Sequence, residues 1–325
     1  VLIFQFSNIV AFKTIITGGL LILGSILVIN QEINLGQFVA SEIIILLVLS
    51  SAEKLILTME TVYDVLTGLE KLGQVTDIPL EKEGGLSLSE VSNKEGVSVE
   101  LGNLSYTFEE GALALDKINL HVKAGEKIAI TGHNESGKTT LISVISGLYH
   151  NYEGSILFNG IPFADIDITS FRSVIGDNLN LQDLFYGTLA QNISVGKDDV
   201  TIEDILRAID QVGLGNFLKN LPNGLATMIS PEGQGLTDSV KQKLILARTL
   251  AERPKIVVMD NALQGLDFED RKRISDILTS KEQKWTLMAV TNDPLILQNC
   301  DRIVTLEYGK IVDVSPSNSK TKMKK

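Results

Sequence analysis

All-α membrane helices followed by an α/β domain built round a phosphate-binding loop is the fold class this sequence predicts. Three observations carry the prediction. Two apolar runs of helix length stand close together before residue 76. Strand-like and helix-like segments alternate from Val97 to Pro316, the pattern of a mixed α/β domain. Within that alternation the strand-like KIAI runs into Gly132-His-Asn-Glu-Ser-Gly137-Lys138-Thr139, and an amphipathic helix follows.

The first element is the membrane hairpin. From Val1 to Ser51 the only charges are Lys13, Glu32 and Glu42. TIITGGLLILGSILVI reaches spanning length with the apolar residues upstream of it. After NQEINLGQ comes FVASEIIILLVLSSA, continued in helical pattern through EKLIL. A bilayer core takes about 20 apolar residues per helix, so two membrane helices joined by a tight turn fit. A signal peptide is the weaker reading, because no basic start precedes the run and a second apolar run follows at once. A buried helical hairpin in a soluble core is the other alternative.

The turn carries no Lys or Arg, whereas Lys54 and Lys71 follow the second helix. The turn is therefore expected to face outward, with everything downstream cytoplasmic. Lys13 fits near the inner end of the first helix, its stem able to snorkel. Glu42 lies about two turns into the second helix, where facing lipid is costly. It is expected to face a bundle interior or a polar cavity, either touching a substrate or pairing with another helix.

Beyond the membrane, METVYDVLTGLEKLGQV keeps one apolar helix face and extends the second helix, giving a first region over residues 1–76. Residues 77–96, with Pro79, Gly84, Gly85 and a serine-rich run, read as a linker. Residues 97–316 make the α/β domain, and 317–325 a disordered basic tail, with contact to anionic lipid left open. A length of 325 residues suits roughly two domains. The opening on Val1 raises the expectation of a fragment. Net charge of -11 argues against nucleic-acid binding, which normally needs a basic face. Cys300 is the single cysteine, so no internal disulfide forms, and it reads as a small buried residue in a reducing compartment.

The loop itself matches G-x-x-x-x-G-K-[ST] in the required strand-to-helix context. Its chemistry is specific. Glycines let consecutive backbone N–H groups turn toward phosphate oxygens, and the helix N-terminus adds its dipole. Candidate nucleotide contacts are Gly132, Asn134, Ser136, Gly137, Lys138, Thr139 and Thr140. Lys138 brings a point charge to the outer phosphates, and the Thr139 hydroxyl is a candidate Mg²⁺ ligand. His133 and Glu135 fall in variable positions and receive no role. A second strand, KIVVMD, ends in Asp260, the acid that completes such a metal site.

With the loop, Asp260 and two preceding membrane helices in this order, the chain resembles an ABC transporter of the exporter type. It is similar to the last two transmembrane helices fused to the nucleotide-binding domain, in the manner of bacterial peptide and protein secretion exporters. The resemblance covers nearly the whole chain. NLSYTF resembles the strand that carries the adenine-stacking aromatic, placing that role on Phe108, with Tyr106 second. FRSVIGDNLNLQDLFYGTLAQNI resembles the segment around the Q-loop. LILARTLAERPKIVVMD resembles the helix and strand after the signature, QGLD the D-loop, and DRIVTLEYGKIVD the terminal strand pair. The resemblance implies a helical subdomain, ATP and Mg²⁺ as cofactors, a second half-transporter as partner, a periplasmic adaptor, the lipid bilayer, and location in the inner (cytoplasmic) membrane.

Four positions depart from the family pattern. Asn180 stands at the Q-loop glutamine. The signature is Leu236-Thr237-Asp238-Ser239-Val240, with Asp238 in place of a glycine that must approach nucleotide across the dimer. Asn261 stands at the catalytic glutamate and Asn292 at the switch histidine. An asparagine amide can hold water but cannot take its proton, and losing a general base typically costs ~10²–10⁴ in rate. Binding with slow turnover is therefore expected, in an exporter subunit dependent on a partner. The alternatives are a regulatory or structural pseudo-ATPase that binds ATP without a transport cycle, and a truncated or decaying gene product.

Overall fold

A computed structural model describes residues 2–78, 80–81, 84–88, 96–179, 183–197 and 199–317. The chain divides into two compact units, Val1–Glu81 and Lys82–Lys325.

The first unit is a helical hairpin, α1 (Leu2–Ile29) and α2 (Leu35–Thr76). Asn34 starts α2 with a reciprocal cap. Its side chain accepts from the Gln37 amide at 2.8 Å, while Gln37 Oε1 accepts from the Asn34 amide at 3.0 Å. Val10–Ile29 and Leu35–Leu55 are long and apolar enough to cross a membrane, with mean hydropathy 2.1 and 1.9. Ile15, Ile22, Leu23, Ile44 and Leu47 stand exposed along them, as lipid-facing residues would. The helices close on a glycine: a Cβ on Gly24 would fall 2.1 Å from the Phe38 ring. Lys13 does not reach out alone, because its Nζ meets Glu53 Oε2 at 3.0 Å across the hairpin. Glu42 is half-buried.

In the second unit, β1 (Val99–Thr107), β2 (Leu113–Val122), β4 (Tyr152–Phe158) and β5 (Ile161–Pro162) form an antiparallel sheet in the order β2-β1-β4-β5. The larger sheet has the order β12-β11-β3-β10-β9-β6. It comprises β3 (Lys127–Gly132), β6 (Ile175–Asn178), β9 (Ile256–Asp260), β10 (Thr286–Val290), β11 (Arg302–Glu307) and β12 (Lys310–Pro316). All its pairings are parallel except β11 with β12. Parallel strands are covered on both faces, which is why their sequences are continuous apolar runs. Alternate residues serve two cores. Ile128, Ile130, Val258, Met288 and Val290 face the core shared with the antiparallel sheet. Ala129, Val257, Met259, Leu287 and Ala289 face a second core under the helices.

Helix α3 (Lys138–Ile145) follows β3, and α4 (Ile168–Val174) precedes β6. The helical part comprises α5 (Leu189–Ser194), α6 (Ile202–Gln211), α7 (Gly215–Asn220) and α8 (Asp238–Ala251), with the short pair β7 (Gly187–Thr188) and β8 (Met228–Ile229) beside it. Capping boxes start α5 at Thr188 and α6 at Thr201. On α6 and just past it, Ile205, Ala208, Ile209 and Val212 are buried at helical spacing. α9 (Phe268–Thr279) and α10 (Pro294–Asn299) complete the second core.

Two boundary regions carry more structure than the sequence suggests. Within the stretch read as a linker, Leu88 is fully buried in the first core, and Leu86 bridges to Ile166. At the start of the stretch read as a tail, the Ser317 hydroxyl donates to the Leu297 and Gln298 carbonyls at 2.6 and 2.9 Å. Residues 318–325 lie outside the described residues. Cys300 is buried, as the sequence suggested, and burial pushes its thiol up to about 11.

Lys127 is an unexpected interior charge. Its Nζ donates to the carbonyls of Gln283 (3.0 Å) and Trp285, and lies 5.6 Å from the Trp285 ring centre. Burial pulls its ammonium down from 10.5 to about 8, with Asp301 opposing. Between those values the unfolded state binds more protons, so this group makes stability rise with pH across that window. The rise amounts to at most about 3 kcal/mol. Lys127→Met is expected to flatten it in denaturant unfolding compared at about pH 7.5 and about pH 10. Parallel pH profiles for the two proteins would refute the assignment.

Candidate nucleotide site

The carboxyl ends of β3, β9 and β10 come together, since Val290 pairs with both Ile130 and Asp260. That edge is where open parallel sheets place their ligands. Gly132 ends β3, and the loop runs to Gly137, which opens α3 at φ 94°. A Cβ on Gly137 would fall 2.6 Å from the Ala114 carbonyl oxygen, so only glycine lets the loop close against β2. Ser136 and Thr140 are buried under the loop, while Asn134 is exposed on it. Lys138 folds over the loop mouth, donating to the His133 carbonyl and to Ser136 Oγ at 3.1 Å. Burial draws its ammonium below the usual lysine value, partly offset by Asp260.

Asp260 is 1% exposed, and both its oxygens are engaged. Thr139 Oγ1 donates to Oδ2 at 2.6 Å, and the Asn261 amide donates to Oδ1 at 2.8 Å. The sequence-chosen metal pair therefore meets across 121 positions of chain. A glutamate at 261 has no such donor and would set a second carboxylate beside the first. Asn261 also sits at φ 50°, a left-handed conformation that asparagine tolerates better than most residues. Gln242 of α8 donates to the Ala262 carbonyl at 3.0 Å, fixing the loop that follows.

A cleft of about 500 Å³ opens beside the loop. Its lining brings Asn134, Lys138, Asn261 and Asn292 together with Gln264 and Gly265 of QGLD. Two further lining residues escaped the sequence reading: Arg271 Nη1 meets Asp293 Oδ2 at 3.0 Å. Their spacing, across a helix and a strand, carries no local pattern. Among the described residues no cluster of three His, Cys, Asp or Glu stands ready for a metal. A metal held by Thr139 and Asp260 would thus depend on phosphate oxygens.

Phe108 is half-buried and meets Tyr106 edge-on at 5.2 Å. Tyr106 stacks instead on Tyr149, at 5.1 Å and 13°. Tyr149 was not anticipated, because it arrives from beyond α3. Tyr106 thus has one face covered.

The signature residues stand elsewhere. None of Leu236, Thr237, Asp238, Ser239 and Val240 lines the cleft beside Lys138. Thr237 caps α8, its hydroxyl accepting from the Val240 amide, and Asp238 occupies the first turn with a fully exposed side chain. A carboxylate there suits the helix dipole while opposing any anion brought to the same end. Asn180 lies outside the described residues.

A family model described as ABC transporter matches residues 115–264. The chain is 28% identical over 284 residues to the ATP-dependent lipid A-core flippase of Legionella pneumophila, covering 86% of this chain and 47% of that protein. It is 28% identical over 293 residues to the alpha-hemolysin translocation ATP-binding protein HlyB of Escherichia coli, covering 90% and 41%. The chain spans about half the length of the curated relatives it matches. A solved bacterial Atm1-family ABC exporter with ATP bound shares the fold at a TM-score of 0.72 and 24% identity, over 80% of this chain and 45% of that one. The chain is thus similar to ABC exporters, with two helices long and apolar enough to cross a membrane followed by a domain that the ABC transporter model matches, which implies ATP binding.

Proposed function

We propose that this chain is the ATP-binding subunit of a membrane exporter that holds MgATP firmly, hydrolyses it slowly and works beside a second half-transporter. One observation carries the proposal. Lys138, Thr139 and Asp260 form a closely spaced array at the loop, while the positions beside it that would take a proton or touch the outer phosphate are Asn261 and Asn292. Lys138 neutralises outer-phosphate charge, and the loop's N–H groups hold the phosphate oxygens. Magnesium, when bound through Thr139 and Asp260, offsets further charge on the phosphates. The Asn261 amide, already donating to Asp260, orients that carboxylate. It has no basic oxygen with which to accept a proton from water.

The separation of this chain's signature residues from its own loop cleft supports a partner, a second copy or a related half-transporter. The polar loop side of the hairpin is read as outward and the nucleotide-binding unit as cytoplasmic. The relatives' names speak of a lipid flippase and a protein translocator, so they do not agree on one cargo.

The test is to measure ATP binding and phosphate release on the reconstituted chain, alone and with a half-transporter encoded beside it. Binding with negligible phosphate release alone, and nucleotide-dependent transport with the partner, is the expected outcome. Rapid hydrolysis by the chain alone would overturn it. The exposed Asp238 favours a second reading, a regulatory subunit without a transport cycle. That reading predicts ATP-dependent dimers whose nucleotide turnover no cargo or partner stimulates.

A further inference from the structure

At the amino ends of the same strands lies another cleft, of about 400 Å³. It opens between the end of α6, the connection from α8 to β9, and the segment entering β10. Arg207, Gln211, Arg253, Lys255, Lys284 and Trp285 line it. It shares no lining residue with the nucleotide cleft. The two sit at opposite ends of β9, one beside Lys255 and the other at Asp260.

The charge is out of character for the chain. Arg207, Arg253 and Lys284 face two nearby acids, Glu282 on the lining and Asp204 behind it, leaving one net positive charge among these groups where the whole chain carries -11. The guanidinium groups are held in place. Asp204, buried, takes Arg207 Nη1 at 2.7 Å and Arg253 Nε at 2.5 Å on the same oxygen. Arg207 Nη2 also donates to the Leu250 and Ala251 carbonyls at 3.3 and 3.4 Å. Arg253 occupies the residue after the α8 cap at φ 51°, a position that ordinarily favours glycine. Its side chain nevertheless stays two-thirds exposed. Behind the wall, Lys127 ties down the carbonyls of Gln283 and Trp285.

We propose that this cleft binds a small phosphate-bearing anion, with Arg253 and Lys284 as its outer contacts and Arg207 at the inner wall. Arg253, anchored through Nε, keeps its two Nη groups for a pair of phosphate oxygens, while Arg207 adds its charge from the wall and a lysine a point charge from another direction. The volume suits a small molecule rather than an extended chain. A soluble phosphate compound and a phospholipid head group offer the same chemistry.

Trp285 is the chain's one tryptophan and lines the cleft, so its fluorescence reports on this site. The whole chain carrying Lys138→Ala, which weakens the nucleotide site, is placed in neutral-lipid nanodiscs and titrated with inorganic pyrophosphate. A saturable fluorescence change is expected, its midpoint raised about tenfold or more by Arg253→Gln with Lys284→Gln. Arg253→Gln leaves Asp204 less compensated. Lys284→Gln alone, on an exposed side chain, is therefore the control for folding and should still raise the midpoint severalfold. No saturable change, or one that Lys284→Gln leaves untouched, would overturn the site. Repeating the titration in nanodiscs with anionic phospholipid identifies the source. A pyrophosphate response that is competed away assigns the site to a lipid head group, and an unchanged one to a soluble phosphate compound.

Discussion

The chain carrying Asn261→Glu with Asn292→His is expected to hydrolyse ATP faster than the natural one by on the order of 10². The glutamate supplies an oxygen that accepts a proton from the attacking water. The histidine adds a contact facing the cleft that Lys138 and Asn261 already line. The gain has an opposing term. The amide bond from Asn261 to Asp260 Oδ1 is lost, and a second carboxylate arrives beside a buried one. A hydrogen bond to a charged group is typically worth about 1.5–3 kcal/mol, so the variant should also be less stable without nucleotide, by somewhat less than that. Steady-state phosphate release, compared with equilibrium ATP binding, separates the two effects. The reading is wrong if the natural chain already matches the variant, or if the variant binds ATP and remains as slow.

Lys138→Ala should weaken ATP binding by about 10- to 100-fold, the equivalent of one or two charge-assisted hydrogen bonds. The same change should hardly alter the nucleotide-free protein. Lys138 there satisfies only loop acceptors, the His133 carbonyl and Ser136 Oγ, and burial already disfavours its charge. Thermal unfolding reads both effects at once. A ligand at 100 times its dissociation constant stabilises by about 2.7 kcal/mol, and this ATP-dependent rise should fall to between about 1.4 and about 0.4 kcal/mol in the variant. An unchanged ATP shift would remove Lys138 from the site.

These two experiments rest on different kinds of legibility. The phosphate loop, Asp260 and the membrane hairpin could be read directly, because each depends on local rules. The loop needs glycine beside a strand and a helix, the candidate metal acid ends an apolar strand, and a membrane helix needs uninterrupted apolar length. Phe108 was reachable only through resemblance, and Tyr149, which stacks on its neighbour Tyr106, not at all. Arg271 and Asp293 were missed for the same reason: each looks like an ordinary surface charge until α9 and the end of β10 bring them together. Lys13 was read alone, although Glu53 was waiting across the turn. Leu88 was hidden in a polar stretch, where one apolar residue carries no period.

The sequence by itself determined the kind of chain this is: two apolar helices and a loop of the phosphate-binding pattern, for which side-chain chemistry and short-range spacing suffice. The reading of Asn261 and Asn292 as standing at acid–base positions came from the resemblance alone. Only the tertiary structure decided what the asparagine at 261 does. Its amide is tied to Asp260 while Thr139 holds the other oxygen, so this asparagine fixes the acid beside it. It also decided that Arg207, Arg253 and Lys284 share a cleft at the far end of the same strands. Parallel strands gather distant connections at each edge of the sheet, and no pattern along the chain records which residues will meet there.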